Sequence, residues 1–272
     1  MNHRLTSLLT VLLLLTACTT ASLPAPTETA APTKKPSATP RPPTATPRPT
    51  VTRAPTASPT PKSNRSASFT VVEKTVEARK SEKDAYSPAS EGLALPVGGQ
   101  ARTGEDGRAR LDLAPDGTIV RMVPNTVFTL ASLEEKEKSP FTTIKLFFGQ
   151  IFIILQGGSL EVETPSGVAA VSGSMMSVSY NPDEGVMTAT CLEGHCSLRN
   201  DAGKIELVAG QAADIQNGAL SDEPRPITDQ ELQNWLDYTP EVEGMLDRLP
   251  GLRDRIDKLL GEKDRRKPPF LP

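Results

Sequence analysis

The middle of this 272-residue sequence predicts an all-β fold of the sandwich, barrel or solenoid kind. Three observations carry that expectation. Short runs alternate strictly between apolar and polar residues, as half-buried strands do. Turn-forming pairs separate those runs about every 8–12 residues. Aromatic residues make up 4% of the chain, so the core must be built from Val, Ile, Leu, Ala and Met, side chains that suit closely stacked sheets.

Taken in order, the first element is an export signal. Arg4 begins a short positive region, Leu8 to Leu15 is apolar apart from Thr10, and small residues lead to Cys18. The apolar run is well short of the roughly 20 residues a membrane-spanning helix needs. Leu15-Thr16-Ala17-Cys18 resembles the lipobox of bacterial lipoproteins. That resemblance implies a signal peptide over 1–17, cleavage between Ala17 and Cys18, and a diacylglyceryl group on the Cys18 thiol. The membrane lipid is then one partner, and the location is the extracytoplasmic face of a cell membrane. Two acyl chains on one residue suffice for stable anchoring. The alternative is an ordinary secreted protein in which Cys18 is incidental.

The second element is a stalk, 18–66 with Cys18 included. Residues 19–66 hold 12 Pro, 12 Thr and 5 Ser. Such composition offers little to bury and is expected to be disordered or extended, rising about 3.1 Å per residue where polyproline II forms. Residues 1–66 carry 8 Lys or Arg (Arg65 among them) against one acid, Glu28, leaving 22 basic and 32 acidic residues in the remainder, a net of −10. The basic stalk suits anionic headgroups or wall polymer, or is simply a solvated linker. The acidic remainder argues against nucleic acid as a partner.

The β region is expected over 67–218. Arg108 to Leu113 places Ala109, Leu111 and Leu113 on one face, and Ser159 to Glu163 and Lys204 to Leu207 repeat the pattern. Ile151 to Leu155 is continuously apolar and predicts a strand buried on both faces. Met175-Met176 reads as core filler or an in/out pair. Asp106-Gly107, Asp116-Gly117, Gly157-Gly158, Asp183-Glu184-Gly185, Glu193-Gly194 and Ala202-Gly203 are turn signals.

Helices are expected over 227–261. Thr228-Asp229-Gln230-Glu231 is a capping box, with Leu232, Trp235 and Leu236 on one face behind it. Thr239-Pro240-Glu241 predicts a second N-cap with proline at the first position. Leu252, Ile256, Leu259 and Leu260 make a further stripe. These helices either pack on the β region or form an arm for a partner. Residues 262–272 are expected to be a disordered tail.

The order of motifs in the β region resembles the FecR-like domain. Thr103 to Leu111, Asp116-Gly117-Thr118, Asn125-Thr126, Leu146 to Ile151, Thr164-Pro165, Ala170 to Ser174, Glu193-Gly194 and Ala209-Gly210-Gln211 carry the likeness. It implies an all-β, solenoid- or jelly-roll-like module used for protein contacts. In well-known members that module passes a signal from an outer-membrane receptor to an anti-sigma segment in the cytoplasm. This chain shows neither a transmembrane helix nor such a segment. The resemblance therefore implies fold and recognition, and brings no catalytic residue.

Cys191 and Cys196 flank Leu192-Glu193-Gly194-His195. With Glu193-Gly194 as a two-residue turn they would oppose each other across a hairpin, near disulfide reach, and an oxidising compartment favours the bond. A metal site with His195, a redox-active pair and two free thiols are the alternatives. His195 is the one histidine left after signal removal. No nucleophile elbow, phosphate loop or dinucleotide fingerprint is present. Glu161 and Glu163, on one strand face, are the candidate carboxylate pair for sugar chemistry. The expected function is therefore non-catalytic and without a cofactor: recognition of an envelope protein or polymer, within cell-surface signalling. A self-associating envelope scaffold is the second reading and a carboxylate-dependent carbohydrate enzyme the third.

Overall fold

The computed structural model describes residues 64–266, with side chains to 261. Ala17, Cys18 and the Pro/Thr tract to residue 63 lie outside the described residues, as do 267–272. Strands begin with β1 (Ser66–Glu73), β2 (Val76–Arg79), β3 (Ser87–Pro88), β4 (Gln100–Thr103), β5 (Arg108–Ala114), β6 (Thr118–Met122) and β7 (Val127–Lys136). They continue with β8 (Ser139–Ile154), β9 (Ser159–Thr164), β10 (Gly167–Asn181), β11 (Val186–Asn200), β12 (Gly203–Val208), β13 (Gln211–Gln216), β14 (Ala219–Leu220) and β15 (Arg225–Pro226). Helix α1 (Asp229–Tyr238), a 3-10 helix (Pro240–Arg248) and α2 (Arg253–Arg266) follow. The expected all-β domain with a helical end is what forms. The ladder is antiparallel except where β8 meets β9, the order of a folded sandwich rather than of stacked parallel coils.

Three long strands fold the ladder into two layers. The first part of β8 pairs with β7 and β9, and Ile151 to Ile154 pair with β6 and β10. β10 leaves β9 after Ser172 and joins β8 from Met175. β11 pairs with β13 up to Cys191 and with β12 from His195. One layer thus runs β2, β4, β7, β8, β9, β10, β11, β12, and the other β1, β5, β6, β8, β10, β11, β13. Each crossing strand bends at a glycine of left-handed backbone: Gly149 (φ 91°), Gly173 (φ 64°) and Gly194 (φ 75°). A Cβ on Gly149 would sit 2.3 Å from the Asn125 carbonyl oxygen. Each bend also inserts one residue out of step. β8 buries Ile144 and Leu146 before it, Ile151 and Ile153 after; β10 buries Ala169 and Val171, then Met176 and Val178.

That bend corrects one expectation. Glu193-Gly194 is not a hairpin tip; the chain reverses at Pro182 to Gly185, and both halves of β11 keep β10 as partner. A left-handed glycine supplies a bulge as readily as a reversal, and continued pairing retains more ladder bonds. Leu192 and His195, which a two-residue turn at Glu193-Gly194 would set opposite each other, are therefore not paired. Cys191 and Cys196 still meet, across the bulge, with Cα atoms 5.8 Å and sulfurs 2.11 Å apart, the geometry of a disulfide.

Two cores result. Between the layers lie Phe69, Leu111, Phe128, Ile144, Ile153, Leu160, Met176 and Leu198 with their neighbours. The second lies outside the β6–β8–β10 layer, where Ile119, Phe152, Ile154, Met175 and Leu192 meet Leu232, Trp235, Leu236, Val242 and Ile256 of the helices. Ile151 to Leu155 is buried on both faces as expected, and Met175 and Met176 serve one core each. Of the two readings of the helices, packing on the β layer holds.

Arg65 is a second correction. Grouped with the stalk by composition, its side chain is 2% exposed and bonded into the domain. Nε and Nη2 donate to the two carboxylate oxygens of Asp116 (2.9 and 3.0 Å), and Nη1 donates to the carbonyls of Phe141 (2.8 Å) and Glu134 (3.1 Å). Helix α2 reaches Arg266, five residues into the segment expected as tail.

Candidate functional site

Cross-strand registration lays a polar row across the outward face of the β7–β12 layer. Arg79 pairs with Gln100, Gln100 with Thr129, Thr129 with Lys145, Lys145 with Glu163, Glu163 with Val168, Val168 with Arg199 and Arg199 with Lys204. Eight strands contribute one residue each. A parallel row runs Thr143, Glu161, Ala170, Ser197, Glu206, and another Phe141, Ser159, Ser172, His195, Val208. Alternation (period two) puts these side chains on one side and the interlayer core on the other.

The face has a centre and two flanks. Val168, Ala170 and Ser172 of β10 form a low central column. Glu161 and Glu163 stand on one side, with Arg199 and His195 on the other. Lys145 lies 3.6 Å from Glu163, Arg199 lies 3.5 Å from Glu161, and Lys204 lies 2.6 Å from Glu206. At the far end the β2–β3 connection folds over the face. The guanidinium carbons of Arg79 and Arg102 lie over the Tyr86 ring, 4.6 and 4.0 Å from its centroid. The Tyr86 hydroxyl donates to Gln100 Oε1 at 2.9 Å, and Gln100 Nε2 donates to Thr129. Phe147, 41% exposed, lies beyond Lys145 beside a depression of about 230 Å³ with Glu163, Thr164 and Pro165 in its wall. This surface can offer paired charges in fixed register, a shallow apolar trough and an exposed ring.

The opposite face is closed. The Trp235 indole is fully buried, donates to Thr190 Oγ1 at 3.2 Å, and packs edge-on against Phe152 at 4.8 Å. The capping box forms as expected: Thr228 accepts from the Glu231 amide and Glu231 reaches back to the Thr228 amide. Thr239 departs from expectation. Its hydroxyl donates to the Trp235 carbonyl, ending α1 rather than capping the 3-10 helix. Arg110 and Arg121 both reach Glu241 (3.0 and 2.7 Å), and Arg248 reaches Glu193 (2.7 Å). Arg225 bridges Asp214 of β13 and Glu231 of α1 at 2.8 and 2.7 Å. Half-burial pushes both carboxyls up. Hydrogen bonds from Arg225, helped by Thr188 at Asp214 and by Thr228 at Glu231, outweigh it and hold both below the usual carboxylate range. The Arg225 guanidinium is raised, first by Glu231 and then by Asp214.

The candidate residues fall as follows. Cys18 and Ala17 lie outside the described residues. Cys191 and Cys196 are buried beneath the bend, bonded to each other rather than arranged with His195, which is exposed. Among the described residues no cluster of three His, Cys, Asp or Glu could hold a metal ion. Glu161 and Glu163 lie on the flat face, each beside a cation. Arg65 was missed, although the alternation Ala67, Phe69 begins two residues after it.

The family described as FecR protein matches residues 99–197, from just before β4 to the second half of β11. No curated protein matches. Two crystal structures of a candidate anti-sigma factor from Parabacteroides distasonis, at 1.65 and 2.50 Å, are similar at 16% identity and a TM-score of 0.42. The first alignment covers 50% of this chain and 64% of that one, the second 55% and 73%. The chain thus spans under two thirds of the first.

Proposed function

We propose that this chain, whose residues 99–197 match the FecR family, is an extracytoplasmic recognition module of a signalling system, non-catalytic and held at the membrane by a lipid on Cys18. One observation carries the reading: the two outer faces are treated oppositely. One is sealed under three helices around Trp235, and the other is a polar sheet in continuous register, open from β8 to β12 and covered by the β2–β3 connection at its far end. Cross-strand pairs of opposite charge steady a solvated sheet in their own right, and held in fixed register they also give a protein or polymer partner a complementary pattern to read. The lipobox-like Leu15 to Cys18 supports the location. Glu161 and Glu163 serve here as partners of Arg199 and Lys145 and present charge to a ligand.

The test is photocrosslinking in the native cell. A photoreactive residue at Ser172, in the central trough, is expected to capture one discrete envelope component. The same probe at Asp254, on the exposed side of α2, is expected to capture none. Equal capture from both positions, or none from Ser172, would refute the open-face reading. Arg199→Glu is expected to reduce capture from Ser172 by tenfold or more, on the order of 1.4 kcal/mol or above.

A further inference from the structure

β12 is the outer strand of the open-face layer and has β11 on one side. The two-residue turn Asp201-Ala202 fixes which of its groups face β11. The pair Asn200–Gly203 closes the turn, so Gly203, Ile205 and Leu207 exchange main-chain hydrogen bonds with β11. The N–H and C=O groups of Lys204 and Glu206 point the other way. No described residue bonds to those four groups. The Val208 N–H also points outward, but Gln211 Oε1 accepts it at 3.0 Å. The side chains of Lys204, Glu206 and Val208 stand on the open face, Val208 47% exposed.

We propose that two copies of this chain pair antiparallel through β12, with Lys204 of each opposite Glu206 of the other. In that register the four outward-facing groups of one copy meet the four of the second, closing four N–H···O bonds around a two-fold axis at Ile205. Both Lys204–Glu206 contacts become cross-strand pairs of opposite charge. Exposed Val208 falls opposite Ala202 of the second copy. The neighbouring registers are disfavoured. A shift of two residues one way sets Glu206 against Glu206 and requires the Val208 amide already held by Gln211; the other way sets Lys204 against Lys204. A shift of one residue opposes outward groups to inward ones. Lysine on a free edge ordinarily discourages pairing. Alternation with Glu206 makes this edge complementary to itself while still repelling an unmatched strand. The Lys204–Glu206 contact within one copy joins exposed side chains and exchanges for its intermolecular equivalent at little cost. The pairing would extend the polar face across the axis.

The test uses the full-length exported chain, co-produced as two differently tagged copies, one Lys204→Cys and the other Glu206→Cys. Opposed Cβ atoms lie about 4.5–5.5 Å apart and diagonal ones about 7–8 Å. A reductant-sensitive dimer carrying both tags is expected, at several-fold higher yield than from either variant alone. Absence of the mixed dimer, or equal yield from Lys204→Cys alone, overturns the proposal. A second series keeps the matter decidable if cysteine variants fold poorly. Sedimentation of Lys204→Glu is expected to show monomer, and the swap Lys204→Glu with Glu206→Lys is expected to restore dimer. A swap that stays monomeric with unchanged Trp235 fluorescence also overturns it. Crosslinking from Ser172 reports the partner reading separately.

Discussion

Asp116 and Arg65 stand 5% and 2% exposed, an ion pair taken almost wholly from water. A pair of that kind adds little net stability over apolar residues of the same shape, but breaking it leaves a buried charge with its partner gone. Arg65→Met is therefore expected to cost about 3–5 kcal/mol, read as a lower urea midpoint of the full chain. Adding Asp116→Asn to it is expected to recover part of that loss. Strict additivity of the two single losses would show that the pair is not coupled. Composition could not reveal this residue, because a Pro/Thr tract and the first strand share a boundary where charge alone assigns Arg65 to the wrong side. The burial becomes visible only when residues 51 and 77 positions later, Asp116 and Thr142, arrive around it.

The elements show where local reading succeeds. β5, β9 and β12 follow from alternation, because each has one buried face and no internal bend. α1 follows from its capping box. The bend in β11 does not, since Glu193-Gly194 signals a left-handed glycine without saying whether the chain reverses or continues. The open face escapes for a different reason: its rows are assembled from eight strands whose mutual register no single segment contains. Attachment of α1 makes a further prediction. Asp214 and Glu231 are held below their ordinary range when folded. The stability they contribute is therefore complete above the unfolded carboxylate range, near pH 4, and is lost as pH falls through the lower folded values. A Trp235 fluorescence titration of the full chain is expected to show loosening of the helix layer below about pH 4. Arg225→Met is expected to loosen it already at neutral pH and to flatten that acid dependence. An unaltered acid transition in Arg225→Met would assign it to other carboxyls.

At the scale of the whole molecule, the proposed lipid anchor, the Pro/Thr tract and the β domain make separate demands on the sequence. The lipobox-like segment and the tract after it lie outside the described residues, and their reading rests on motif and composition alone. Cys18→Ala is expected to move the protein from the membrane fraction to the soluble one and to abolish lipid labelling. Retention in the membrane would rule out anchoring through that residue. The partner is not legible at this scale, because an acidic net charge and a flat face describe a class of ligand and no single one.

The three bent strands have a consequence for how the chain tolerates change in length. An extra residue at Asp201-Ala202 or Pro182 to Gly185 would enlarge a loop and leave both layers in phase. One gained or lost beside Gly149, Gly173 or Gly194 would exchange wet for dry positions along half a strand, in a layer that shares its core with the other. Insertions and deletions should thus be absorbed at the tips and excluded along this crease, making it the part of the domain whose spelling can change but whose count cannot.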